Sequence, residues 1–496
     1  MRHSIRFYLG SVRHEISGVS PTTTVLDWLR DACRRTGTKE GCNEGDCGAC
    51  AVLVVRLEGE QLVWRAVNAC IQFLWMLDGA QIFTVEDLRS PDGALHPVQQ
   101  AMVDQHGSQC GFCTPGFVMS MVAYCKTPGA SMAEGAINDA LAGNLCRCTG
   151  YAPIVRAMKQ VLATPETAQG IQAEQALAES IKTRLKTLQG DQTAEIAGAE
   201  GRITLPASAD ALAAAYLAAP DATLVAGATD VGLWVTKGLR ALPHLIGIGQ
   251  VPDLRRIEHT PEGLWLGAGV TWAEARPALA ALLPDAGEVI RRIGSTQVRN
   301  AGTVCGNIGN GSPIGDGPPV LIAAGAVLRL RRGDTRRSLP LEEYFLAYGK
   351  QDRQPGEFIE AVVIPVPHPA TVFRAYKVSK RFDQDISAVL GAFAFIPDGE
   401  GRITRARIAF GGMAATPKRA RAAEAALEGQ FWTEATLHAA QTALQAEFAP
   451  ISDMRSSAWY RQTVAGNLLT RLFAETGPHS AGTETRLAGW KGEAYV

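Results

Sequence analysis

The chain has almost no net charge: 48 Lys and Arg stand against 49 Asp and Glu in 496 residues. That balance offers nucleic acid no basic field and supplies no acidic solvating tail. Long hydrophobic runs are missing too, since no apolar stretch reaches the ~18 residues a membrane span needs. The first residues, Met1 to Leu9, set charges among apolar side chains and do not build the apolar centre of a secretory signal. The expectation is a cytoplasmic chain with neither membrane nor nucleic acid as partner. No G-x-G-x-x-G follows a strand, so a Rossmann cofactor site has no support. Internal repeats and low-complexity tracts are absent beyond Ala-rich helices. What is present, 46% hydrophobic and 20% charged residues, is ordinary for folded protein and sufficient for three or four domains at ~150 residues each.

Cysteine carries the signal. There are 11, an odd number, and ten lie before residue 150. A disulfide framework is unusual in a large chain without a signal peptide, so metal ligation is the better expectation for this cluster.

Hydrophobic patterning divides the chain. Ser4–Leu9 and Val12–Ile16 read as a hairpin, Val25, Leu26, Leu29 and Cys33 as a helical stripe, and Ala51–Leu57, Gln61–Val67 and Gln81–Val85 as strands. Val98–Gln105, Gly116–Tyr124, Met132–Ala142 and Tyr151–Ala163 read as the helices of a compact bundle. The polar stretch Thr164–Gly201 is the linker candidate, with Leu177, Ile181, Leu185 and Leu188 on one helical face that docks on a neighbour. From Ile203 short strands (Thr223–Val225, Leu245–Ile248, Leu264–Leu266, Val327–Leu330) alternate with helices. A last unit begins near Phe373, with strands Phe373–Ser379, Ala388–Phe395 and Ala406–Gly411 before helices near Arg419–Leu427 and Ala435–Ala446.

Cys42, Cys47, Cys50 and Cys70 follow C-x4-C-x2-C…C, the plant-type [2Fe–2S] spacing. Three thiolates must converge from one loop, and Gly41, Gly45 and Gly48 permit positive φ and close approach of amides to sulfur. Structural zinc is the alternative, although its paired C-x2–4-C spacing is missing. Cys110 and Cys113, in CGFCTPG, and Cys146 and Cys148, in CRCTGY, form a second set where helices should begin. Helix N-termini favour thiolates, and a centre held there is expected to be largely buried. A redox dithiol at Cys110/Cys113 remains open, but leaves Cys146 and Cys148 unexplained. Cys33 and Cys125 are expected to be packing cysteines.

These motifs closely resemble the molybdenum hydroxylase family in its xanthine dehydrogenase branch. The resemblance implies that Cys42, Cys47, Cys50 and Cys70 bind one [2Fe–2S] cluster, and that Cys110, Cys113, Cys146 and Cys148 bind another. Two further loops, Leu224-Val225-Ala226-Gly227-Ala228-Thr229-Asp230-Val231 and Gln297–Asp316, are each weak evidence alone, because Gly, Asn and Asp also dominate ordinary turns. Together they resemble the family's FAD-binding domain. The implied FAD contacts are Leu224 to Val231, Thr303, Val304, Cys305, Gly306, Asn307, Asp316, Ile359 and Lys377, with Ile293 near the flavin ring. Cys305 stands where Gly is more often found, and its Cβ is expected to crowd the phosphate slightly without abolishing binding. Phe373 to Lys377, Asp385-Ile386-Ser387, Gly412 to Ala420 and Asp453-Met454-Arg455 resemble the flavoprotein C-terminal domain.

The implied architecture is α+β and multidomain. A β-grasp ferredoxin-like domain covers 1–87, a helical [2Fe–2S] bundle 88–163 and a linker 164–201. An α+β FAD-binding domain of the vanillyl-alcohol oxidase type covers 202–369, and an α+β flavoprotein C-terminal domain 370–480. The implied function is that of an iron–sulfur/flavin subunit without catalytic acid or base. Electrons from a molybdenum centre would pass through two clusters to FAD and then to NAD⁺, as hypoxanthine and xanthine become urate. No segment remains for molybdopterin, so a large molybdopterin-binding partner is expected, in a heterotetramer of two small and two large chains. The alternatives are the equivalent subunit of an aldehyde or N-heterocycle oxidoreductase, and a non-enzymatic module stabilised by zinc.

Overall fold

A computed structural model describes residues 1–90, 92–165, 168–190, 192–478, 480 and 485. The N-terminal unit is a five-stranded mixed sheet in the order Val12–Ile16, Ile5–Leu9, Gln81–Phe83, Ala51–Glu58, Gln61–Asn68. The first and last of its central pair in sequence, Ile5–Leu9 and Gln81–Phe83, run parallel, and all other neighbours are antiparallel. The expected strand to Val85 stops earlier. Thr84 and Asp87 form a reciprocal cap that starts a short 3₁₀ turn, Val85–Leu88. The stripe from Val25 buries Val25, Leu26 and Leu29, but its helix Val25–Asp27 runs on as a wider π turn, Trp28–Ala32.

The bundle helices are Pro97–Asp104, Thr114–Cys125, Glu134–Leu141 and Ala152–Ala163. Proline in the first turn starts three of them, where a missing N–H costs nothing. The segment expected as a linker holds more structure than its composition suggests. It contains the helix Ala168–Lys186 and the strand Ala194–Gly198. Ile181, Leu185 and Leu188 are buried, whereas Leu177 is exposed. The strand pairs antiparallel with Gly201–Leu205, Ile196 facing Ile203.

That pair opens a four-stranded sheet, continued in parallel by His244–Gly247 and Thr223–Val225. An antiparallel five-stranded sheet follows, in the order Ile257–Thr260, Gly263–Gly267, Glu357–Ile364, Val327–Arg332, Thr335–Pro340. The C-terminal unit sets Val372–Val378, Val389–Pro397, Ile403–Gly411 and Lys418–Arg419 in one antiparallel sheet under the helices Arg421–Leu427, Glu434–Glu447 and Ala458–Thr476. The last helix is anchored by Arg461, which is 1% exposed. Its guanidinium donates to the carbonyls of Ala388 and Gly412 and to Asp453.

The apolar cores do not follow these units. One joins the N-terminal sheet to Ala194, Ile196, Ile203, Val225 and Leu245 of the four-stranded sheet. Another joins the bundle to the other face of the N-terminal sheet and to Ile181, Leu185 and Leu188. Among the described residues no helix is long and apolar enough to cross a membrane.

Candidate functional site

The loop before Ala51 is neither helix nor strand. Asn43, Gly45 and Gly48 take φ values of 55°, 83° and 69°, which wind it tightly. The amides of Glu44, Asp46 and Cys47 then all point at Cys42 Sγ, each at 3.4 Å. Asn68 Nδ2 fixes the turn by donating to the Gly45 carbonyl at 2.6 Å. The thiols of Cys47 and Cys70 meet Cys42, and Cys70 meets Cys50. Hydrogen bonds from those two thiols, then the amides of Cys47 and Glu44, hold the Cys42 thiol far below its ordinary range. Cys47 is pushed up by its hydrogen bond with Cys42 and by burial, and Cys70 by hydrogen bonds with Cys42 and Cys50 and by burial. The thiols meet in pairs. Among the described residues no three His, Cys, Asp or Glu side chains close around a single ion-sized point. Peptide N–H groups gathered on one sulfur, with three more thiols beside it, form a donor set that fits a thiolate-ligated iron–sulfur centre.

The second set is assembled from two loops. Cys110 faces Cys148, and Cys113 faces Cys146. Cys113 caps the helix Thr114–Cys125, and Tyr151, at φ 68°, caps Ala152–Ala163. The Phe112 amide, then Cys148, lowers the Cys110 thiol. Burial, then Cys146, raises Cys113 to about 12. The four thiols again meet in pairs, a donor set that fits a second centre of the same kind. The expectation of a largely buried centre is corrected: Cys110 and Cys148 are exposed. Phe112, Leu145 and Tyr151 beside them are 48%, 43% and 41% exposed. Each pair lies at the N-terminal end of the helix it precedes, with Cys110 and Cys148 open to solvent.

The two cysteine loops touch. Leu145 N donates to the Cys47 carbonyl at 2.9 Å, and Asn144 Nδ2 to the Gly48 carbonyl at 3.0 Å. Gly116 permits the approach, since a Cβ there would stand 2.2 Å from the Gly48 oxygen. The turn that carries Cys70 meets the segment Leu224–Val231. Gln72 Nε2 donates to the Gly227 carbonyl at 3.0 Å, and Gly232 backs onto Ile71.

That segment lines a cleft of about 500 Å³ between the two sheets of the third unit. The size is that of a cofactor pocket. Gly227 lets the loop pass Ala301, whose oxygen would be 1.8 Å from an added Cβ, and Ala228 takes φ 59° to turn the chain. Leu224, Ala226, Gly227, Ala228, Thr229, Asp230 and Val231 line one wall; Ile293, Thr303, Cys305, Gly306, Asn307 and Ile359 line the others. Asn307 Oδ1 is buried there without a hydrogen-bond partner, a polar atom awaiting one in a site rich in small residues. These residues fit a bound dinucleotide such as FAD.

Four of the expected contacts sit differently. Val225 and Val304 send their side chains into apolar cores. Asp316 and Lys377 lie off the cleft as a buried pair, Nζ to Oδ2 2.5 Å, with Ser387 Oγ on the other carboxylate oxygen at 2.6 Å. Lys377 also donates to the Asp385 carbonyl and edges a separate cleft of about 310 Å³ with Arg292, Lys380 and Arg381. The Cys305 thiol turns to the Leu266 carbonyl at 3.9 Å, inside the core, so its sulfur does not project into the cleft. Trp234, Trp272, Tyr216, Tyr344 and Arg353 also line the cleft. No local motif marks them; their signal lies in which side of the cleft the fold gives them.

Family models match successive stretches of the chain. Residues 7–73 match a 2Fe-2S iron-sulfur cluster binding domain and 84–159 a [2Fe-2S] binding domain. Residues 198–367 match an FAD binding domain in molybdopterin dehydrogenase, and 374–476 a CO dehydrogenase flavoprotein C-terminal domain. Xanthine dehydrogenase 2 of Arabidopsis thaliana is 32% identical, over 89% of this chain and 37% of its own. Aldehyde oxidase 1 of Oryctolagus cuniculus is 30% identical, over 95% of this chain and 39% of its own. The chain thus spans less than two fifths of these relatives. A solved carbon monoxide dehydrogenase chain from Hydrogenophaga pseudoflava, lacking the Mo-pyranopterin moiety of its cofactor, is 29% identical with a TM-score of 0.52, over 54% of this chain and 94% of that one. With both cysteine sets and the flavin cleft falling inside matched domains, the polypeptide carries the iron–sulfur and flavin electron-transfer part of the molybdenum hydroxylase family.

Proposed function

We propose that this chain is the iron–sulfur and flavin subunit of an NAD-dependent xanthine dehydrogenase. Its partner would be a separate, large molybdopterin-binding subunit that converts hypoxanthine and xanthine to urate in the cytoplasm, in a heterotetramer of two small and two large chains. The observation that carries this reading is an order of contacts. The Cys110/Cys113/Cys146/Cys148 loops touch the Cys42 loop through Leu145 and Asn144, and the turn that carries Cys70, the fourth cysteine of the same set, touches the cleft loop through Gln72. Bound iron–sulfur clusters pass electrons singly and FAD exchanges them singly or as hydride, which is what NAD⁺ accepts.

The chain's own residues supply the rest. The eight cysteines hold iron, and the amides on Cys42 stabilise charge on its sulfur. Thr303, Gly306 and Asn307 line the cleft beside Leu224–Val231 for the diphosphate. The exposed Phe112, Leu145 and Tyr151 give the partner an apolar surface beside the outer centre. The β-grasp label for the first domain is supported by its strand order, in which Gln81–Phe83 lies between two hairpins and runs parallel to Ile5–Leu9.

A second reading, the same subunit of an aldehyde or N-heterocycle oxidoreductase, is favoured by the 30% identity to aldehyde oxidase 1. Purification of the complex distinguishes them. The xanthine reading expects about four irons and one FAD per small chain, two distinct electron paramagnetic resonance (EPR) signals on reduction, NADH:dye activity, and turnover of xanthine. Turnover of aldehydes or N-heterocycles alone supports the second reading. A colourless, iron-free chain after anaerobic reconstitution sinks both, and zinc in its place supports the structural module.

A further inference from the structure

The helix Val231–Thr236 leaves the flavin-cleft loop and ends at Lys237, whose N–H returns to the Leu233 carbonyl. From that end the Lys237 ammonium crosses to the N-terminal unit. It donates to the Cys42 carbonyl at 2.5 Å and stands 3.7 Å from the Glu44 carboxylate. Stability does not account for this reach. The side chains of Lys237 and Glu44 are about half exposed, and such ion pairs contribute little. The carbonyl belongs to the residue whose sulfur collects three amides, at the centre of the donor set. The loop itself carries two carboxylates, Glu44 and Asp46, which oppose any further negative charge. Arg381 and Arg455 act on Asp46. Lys237 bonds directly to the backbone of a cysteine ligand, Cys42.

We propose that Lys237 is a positioning residue of the flavin domain that raises the reduction potential of the centre held by Cys42, Cys47, Cys50 and Cys70. The inference rests on the iron–sulfur reading above. Reduction adds one negative charge to that centre, and a fixed cation beside its ligand loop favours the reduced form by simple Coulomb attraction. The flavin domain thereby sets the standing of the electron-carrying site next to its own cleft. Glu44, on the same ammonium, works in the opposite sense.

The test is an anaerobic potentiometric titration of the full cluster-loaded chain, followed by EPR. In Lys237→Met one of the two cluster signals should require a lower potential. The one-electron equilibrium should shift about tenfold, equivalent to about 59 mV. The other signal and the flavin content should not move. Lys237→Arg, which keeps the charge, should restore most of the shift, and Glu44→Gln should shift the same signal upward. The difference between Lys237→Met and the unaltered chain should shrink at high ionic strength, as screening requires. Unchanged midpoints in Lys237→Met, or equal shifts in both signals, overturn the proposal. Absence of any cluster signal in the unaltered chain overturns the parent reading instead.

Discussion

At the scale of the residue, the first cysteine loop shows how one atom decides an assembly. Gly48 takes φ 69°, and a Cβ there would lie 2.1 Å from the Gly143 oxygen and 2.6 Å from Asn144 Nδ2. Gly59 takes φ 60° with nothing within 4 Å of an added Cβ. Both substitutions to alanine incur left-handed strain of about 1 kcal/mol, but only Gly48→Ala adds a backbone clash. Gly48→Ala is therefore expected to destabilise the chain by ~1–3 kcal/mol more than Gly59→Ala in chemical denaturation, and to lower iron per chain where Gly59→Ala does not. The cysteine motifs were legible at this scale because their spacing is local: one loop gathers three thiols, whatever surrounds it. The flavin contacts were less so. Asp316 and Lys377 are bonded to each other off the cleft, and Val225 and Val304 turn inward, because side-chain direction depends on the pleat and helix phase of elements far apart in sequence.

At the scale of the element, the segment 164–201 is the instructive case. Its polar composition conceals the amphipathic end of the helix Ala168–Lys186 and the short strand Ala194–Gly198. The stripe Ile181, Leu185, Leu188 was readable from its helical spacing, as was its docking on a neighbour. The strand was not, since five residues ending on a glycine give too little alternation, and its pairing partner supplies the stability. Leu185 is 1% exposed and Leu177 43%. Leu185→Ala is expected to cost ~2–5 kcal/mol by loss of burial and creation of a cavity, and Leu177→Ala less than about 0.5 kcal/mol. Urea unfolding of the two variants checks this, and equal midpoints would show that the helix is only a spacer. Elsewhere the bundle helices lie within two residues of their sequence-read limits, because proline starts and small-residue breaks are local signals.

At the scale of the whole molecule, a buried polar junction joins three units. Gln297 Nε2 donates to Ser120 Oγ at 3.0 Å and to Asn144 Oδ1 at 2.9 Å, while Asn144 Nδ2 holds the Gly48 carbonyl. The flavin domain thus reaches the bundle and, through it, the first cysteine loop, all in buried surroundings. Gln297→Ala leaves the Asn144 oxygen and the Ser120 hydroxyl without that partner. A loss of ~1–3 kcal/mol follows from burying unsatisfied groups. Amide hydrogen exchange should quicken around residues 142–146 with the C-terminal sheet unaffected; uniform exchange would place the coupling elsewhere. None of this was visible in the sequence, because the three residues are 153 and 177 positions apart in pairs and carry no shared pattern.

The strand Ala194–Gly198 forms bridges to Arg2 and Gly18 of the N-terminal unit while completing the sheet beside the cleft. Neither portion therefore owns a finished surface along this seam; each is the other's missing wall. Because one polypeptide carries both, their meeting is an intramolecular event whose effective concentration is set by the chain between them. The ratio of iron to flavin is consequently written into covalent continuity and owes nothing to balanced synthesis of two separate products.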